Sequence, residues 1–147
     1  MKTFRTNLLL LLMTCCLTFG GHSQWSTNPA VNNVICSLSG EEAIPKIATC
    51  SNGDTYIGYF SNEAGNYNVR LQRLDALGNI LWAPDGILIS ANPQETWLTD
   101  WDMTCDGANH AILTFNDIRT GNANVVGYRI SPTGTFVWGA NGIMLSN

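Results

Sequence analysis

The stretch "LDALGNILWAPDGILIS" (Leu74 to Ser90) returns without a gap as "ISPTGTFVWGANGIMLS" (Ile130 to Ser146). A fold that uses one frame twice is built from repeated units, and that limits it more than any local motif does. Widening the comparison to Ile47–Ser90 and Asp102–Ser146 adds further matches. Thr49-Cys50 aligns with Thr104-Cys105, and Phe60 with Phe115, at an offset of 55. Gly65-Asn66, Asn68, Arg73, Gly78, Trp82, Gly86 and Ser90 align with Gly121-Asn122, Asn124, Arg129, Gly134, Trp138, Gly142 and Ser146 at an offset of 56. The two offsets together predict a duplicated unit whose second copy gains one residue in a turn. A weaker third copy opens at "WSTNPAVNNVIC", with Trp25 lying 57 residues before Trp82 and Asn28-Pro29 standing where Asp85-Gly86 stands.

Each unit reads as four short strands. In the first they run over roughly 45–50, 55–61, 68–75 and 80–90, separated by "SNGD", "NEAGNY" and the repeated frame. Glycine, asparagine and serine punctuate short runs of β-branched and aromatic residues, and no helical period is sustained. In "NVRLQRL", Val69, Leu71 and Arg73 share one face and Arg70, Gln72 and Leu74 the other. Apolar residues on both faces predict sheets covered on both sides. Within the frame, Asp75 and Ser131 are expected to cap a turn through a side-chain oxygen. Gly78 and Gly134 supply its positive φ. Asp85-Gly86 and Asn141-Gly142 bend the chain again, and Trp82 and Trp138 plug the contact between units.

The fold class expected is therefore all-β: two four-stranded antiparallel repeat units resembling β-propeller blades, with a β-sandwich of the two units as the alternative. The segments are a signal peptide at 1–23, a partial repeat at 24–44, unit 1 at 45–97 and unit 2 at 98–147. The frame N-x-V-x-x-x-R-[LI]-[DS]-x-x-G-x-x-x-W-x-x-[DN]-G-[IL]-x-[IL]-S resembles the repeats of large secreted Bacteroidetes-type β-propeller-like proteins. The turn "FNDIRTGNAN" (Phe115 to Asn124) is similar to their aromatic-x-D-x-R-x-G-N turn, which "FSNEAGNYN" of unit 1 lacks. The resemblance covers about residues 25–147 and implies a repeat architecture rather than one activity. Two units are too few to close a propeller, which takes about four to eight blades, and they leave strand edges and apolar faces bare. The expectation is a segment of a larger protein, or several chains completing one ring.

The start of the chain, "MKTFRTNLLLLLMTCCLTFGGHSQ", places Lys2 and Arg5 before an apolar run from Leu8 to Phe19 and small residues from Gly20 to Ser23. That pattern is a secretory signal peptide cut after Ser23. A lipoprotein cut before Cys15 or Cys16 is the alternative. The chain has 7 basic and 11 acidic residues, and losing Lys2 and Arg5 leaves a net charge of −6. Such a chain repels a phosphate backbone, which excludes nucleic acid as a partner. Cys36, Cys50 and Cys105 remain. An oxidising compartment permits one bridge, but an odd count gives no disulfide framework, and the expectation is buried thiols packed as small hydrophobes.

His110 is the only histidine left after cleavage, and it sits in a turn rather than in a triad or zinc-ligand spacing. "SNGD" and "DGAN" supply too few oxygens for a calcium loop. No catalytic residue, metal or cofactor is expected. Two places differ between the copies and are the candidate ligand contacts. One is "ETWLTDWD", where Trp97 and Trp101 with Asp100 could form a platform for a glycan or a protein ligand. The other is Asp117 with Arg119, either an ion pair pinning a turn or a contact at the rim. The function expected is a secreted, non-enzymatic binding or scaffolding module, with the non-catalytic part of a secreted hydrolase as the alternative.

Overall fold

The computed structural model describes residues 28, 30–63, 65–94 and 101–146. The leader, Trp25, Trp97 and Asp100 lie outside them. Eight strands follow one another: β1 Glu42–Thr49, β2 Thr55–Asn62, β3 Tyr67–Leu74, β4 Ile87–Ser90, β5 Asp102–Cys105, β6 Ala111–Asp117, β7 Asn124–Ile130 and β8 Ile143–Met144. They form two four-stranded antiparallel sheets, β1-β2-β3-β4 and β5-β6-β7-β8, so each sequence unit is one sheet. Among the described residues there is no helix, and the sheets do not close into a ring or barrel. Residues 30–41, where the third copy was expected, contain no strand. The fourth strand of unit 1 is shorter than the expected 80–90, because Ile80 makes only a single bridge to Leu74 before the chain turns away.

Turn chemistry explains the hairpins. The Asp75 carboxylate accepts the amides of Leu77 and Asn79, each at 2.8 Å, and Gly78 takes a φ of 83°. Ser131 does the same with a hydroxyl, accepting the Thr135 amide at 3.0 Å, with Gly134 at 82°. Gly86 and Gly142 admit no side chain. A Cβ on Gly86 would lie 2.2 Å from the Leu71 carbonyl oxygen, and one on Gly142 2.4 Å from that of Gly127. These glycines let the returning chain pass against the third strand of its own sheet.

The strand pairing corrects the alignment. Thr49 pairs with Thr55 and Cys105 with Ala111; Thr55 pairs with Leu74 and Ala111 with Ile130. Thr49 is thus equivalent to Cys105, and Phe60 to Asn116. The positive-φ residues agree, with Gly53 matched by Asn109 and Gly65 by Gly121. The repeat is a uniform 56 residues, with no insertion in the turn. The matches at an offset of 55 link residues one position out of register.

That single position changes the face of the sheet, since side chains alternate along a strand. Let face A be the side carrying Tyr56, Gly58, Phe60, Val69 and Leu71 in unit 1, and face B the side carrying Ile57, Tyr59, Gln72 and Leu74. In unit 2, face B carries Ala111, Leu113, Phe115, Val126 and Tyr128. Face A of unit 1 and face B of unit 2 supply one continuous buried cluster. Phe60 meets Phe115 edge-on with ring centroids 6.4 Å apart. The sheets therefore stack head to tail, unlike surface against unlike surface.

The cysteines obey the same rule. Cys50 lies on face A of unit 1 and Cys105 on face B of unit 2, and they form a disulfide with Cα atoms 5.3 Å apart. The expectation of free buried thiols is thus corrected for both. Had the cysteines stood at equivalent positions, they would point the same way and could not meet. Cys36 remains a free thiol.

Candidate functional site

Of the expected platform, only Trp101 is described. It is 2 % exposed. Its ring meets Phe60 edge-on with centroids 5.3 Å apart. Beneath it sits Gly58, where a Cβ would approach the ring to 3.0 Å. Gly58 makes the hole that Trp101 fills. A ring clasped between two sheets offers no face to a ligand, so the platform reading does not hold for Trp101. Trp97 and Asp100 lie outside the described residues.

Asp117 and Arg119 are brought together. The Asp117 side chain is fully buried at the end of β6. Both its oxygens accept from Arg119 Nε, at 2.9 and 2.7 Å, and Nη2 also reaches Oδ2. The guanidinium then donates to the Asn141 carbonyl at 2.6 Å and the Tyr128 hydroxyl at 3.0 Å. This ties the β6–β7 turn to the bend before β8. Asp117 raises the Arg119 pKa further, so the cation is permanent. All the strong donors of Arg119 are spent within unit 2.

Unit 1 holds the equivalent carbonyl by another route. Asp85 O accepts the Tyr59 hydroxyl at 2.7 Å and Arg70 Nη1 at 3.4 Å, and Arg70 is itself gripped by Glu63. Glu63 stands where unit 2 has Arg119. Both units clamp this bend, with different residues, and nothing in the local spelling announces it.

The other expected sites resolve into turns. Asp106 accepts the amides of Ala108 and His110 and pairs with Arg129, which hold its pKa down at about 2. Asp54 is bonded by Asn52 and Arg73. Among the described residues, no group of three or more His, Cys, Asp or Glu side chains is placed to hold a metal ion.

A surface missed by sequence reasoning lies on face B of unit 1. Residues 33–37 cross it, tied down where Ser37 donates from its amide and hydroxyl to Asp85 at 2.6 and 3.1 Å. Beside this segment is a cleft of about 410 Å³ lined by Val34, Ile35, Cys36, Pro45, Ile57 and Tyr59. It opens next to the β1 bulge, where Ile44 takes a φ of 46°. Burial pushes up both the Cys36 thiol and the Tyr59 phenol. That shift favours the thiol form, the weaker nucleophile, at Cys36. No family model, curated protein or solved structure matches this chain.

Proposed function

We propose that the chain is a secreted, non-enzymatic, β-propeller-like repeat segment acting as a binding or scaffolding module in a larger surface protein. The observation that carries this reading is the head-to-tail stacking. A stack of unlike faces continues in principle from both ends, as blades and solenoid repeats do, whereas a closed two-sheet sandwich buries like against like. The inter-unit disulfide supports an oxidising compartment, in keeping with the signal-like leader. The polar side chains also support a structural role, because Arg70, Arg73, Arg119 and Arg129 are all engaged within the fold.

The test expresses the full chain with its leader in a Gram-negative host and probes the exported product on glycan and protein arrays. The expected result is export with Cys50 and Cys105 oxidised, ligand retention in the low-affinity range, and no turnover of glycoside, peptide or ester substrates. Trp97→Ala asks whether the ring outside the described residues contributes to retention. Cytoplasmic retention with both cysteines reduced, or turnover by the purified chain, would overturn the proposal.

A further inference from the structure

Several equivalent apolar residues of the two units are exposed alike. Leu81 and its equivalent Val137 are each 43 % exposed, and Leu88 and Met144 are 43 and 41 % exposed. On face A the match fails: Ile89 is 3 % exposed but Leu145 is 51 %, and Val69 is 0 % but Val125 is 36 %. In unit 1 these positions are covered by unit 2. In unit 2 the same apolar surface is bare.

Polar groups repeat the pattern. Trp82 Nε1 donates to the Pro132 carbonyl at 3.1 Å, and Arg73 Nη1 donates to the same oxygen at 2.7 Å. Together they seat the Ser131–Gly134 turn of unit 2 against unit 1. Their equivalents are Trp138 and Arg129. Arg129 is anchored on Asp106 through Nε and Nη2, as Arg73 is anchored on Asp54. Trp138 packs beside Gly127, and Leu145 lies next to it. Among the described residues, neither Trp138 Nε1 nor Arg129 Nη1 has an acceptor.

From these two observations we infer that face A of unit 2 is the seat for face B of a further 56-residue unit following in the same polypeptide. Trp138 and Arg129 would jointly donate to the carbonyl at that unit's counterpart of Pro132. The inference rests on the repeat-segment reading and names the surface that continues it. Continuity with the existing interface selects the occupant: the surface repeats one already filled, and what fills it there is a unit of this frame. A second copy of the chain is less suited, because residues 33–37 already cross face B of its unit 1.

The experiment appends residues 91–146 directly after Ser146, which stands where Ser90 stands, and substitutes Asp106→Cys in unit 2. Asp106 is equivalent to Cys50, so a docked third unit brings its own counterpart of Cys105 to the new thiol. The expected result is a second disulfide within one chain, found by non-reducing peptide mapping. In the extended chain that keeps Asp106, the third unit should shift Trp138 emission to shorter wavelength. Leu145→Asp should reverse that shift and Val137→Asp should not. Free thiols at both positions with no emission shift would overturn the inference. So would a disulfide between chains, or concentration-dependent dimerisation of the two-unit chain that Leu145→Asp abolishes. Export and oxidation of Cys50–Cys105 are scored separately, so failure of docking is distinct from failure of the secreted-segment reading.

Discussion

Moving one cysteine by one residue tests the stacking directly. In Thr49→Cys/Cys50→Ser the thiol count is unchanged and the hairpin keeps its length. Thr49, however, pairs with Thr55 on face B, turned away from unit 2. The disulfide spans a sequence separation of 55. Closing a loop of that size in the unfolded chain corresponds to about 4 kcal/mol on the chain-entropy relation. Against a total stability of roughly 5–15 kcal/mol for a single domain, that is a large share. Cys50→Ser alone should lose about this amount, and the shifted pair should lose no less. The assay is guanidinium unfolding of the mature chain, with thiol titration in denaturant under non-reducing conditions. Wild type should titrate Cys36 alone, and the shifted variant all three cysteines. If the shifted variant still titrates one thiol and unfolds at the wild-type midpoint, Cys50 and Thr49 do not face opposite ways and the assignment of faces is wrong.

Two further outcomes follow from the clamps. Arg119→Ala leaves the buried Asp117 carboxylate without its cation and frees the Asn141 carbonyl, so guanidinium unfolding should show a loss of roughly 3–5 kcal/mol. Arg119→Lys should recover little of it, since a single ammonium cannot serve two carboxylate oxygens, a hydroxyl and a carbonyl at once. The second concerns acid. Asp106 is held at about 2, chiefly by the His110 amide, and Glu63, Asp75 and Asp85 are also lowered, by Arg70, Asn79 and the Ser37 amide respectively. Carboxylates with depressed folded pKa values contribute stability that is fully present above the unfolded value of about 4. It is lost as pH falls through the folded value. The unfolding midpoint should therefore fall from about pH 4 toward pH 2, and Asp106→Asn should flatten part of that slope.

The repeated frame was legible because its chemistry is local. Asp75 and Ser131 cap their turns within four residues, and Gly78 and Gly134 take positive φ where each turn requires it. The alternation in "NVRLQRL" placed Leu71 and Leu74 on opposite faces, and both prove buried. The clamps were less legible. Arg119 binds a neighbour two residues away, which sequence can suggest, but it also reaches Asn141, 22 residues on. Unit 1 meets the same need with Tyr59 and Arg70. Two solutions to one backbone requirement share no letters, so comparing the copies marks Asp117 and Arg119 as different when their role is common. Trp101 misled for a related reason. An aromatic beside acids reads as a surface platform, and only Gly58 on the opposing sheet reveals the hole it fills.

The offset of 55 carries the deeper lesson. In a sequence comparison, identical letters are taken to mark equivalent positions, and Thr-Cys with Phe offered three such letters. The cysteine and the phenylalanine mark contact instead. When unlike faces stack, equivalent side chains point the same way, so short ones such as two cysteines cannot bridge, although the long side chain of Lys46 still reaches its equivalent, Asp102, at 3.6 Å. Compact side chains on corresponding strands that face each other across the interface differ from the repeat length by an odd number, because an odd step is what turns a side chain to the other face. Cys50 with Cys105 and Phe60 with Phe115 both satisfy this, each one short of 56. A cysteine pair at the repeat length itself would argue for like faces packed together, or for no bridge at all. The shift of one residue, which looked like an insertion, is thus the trace that the stacking leaves in the sequence.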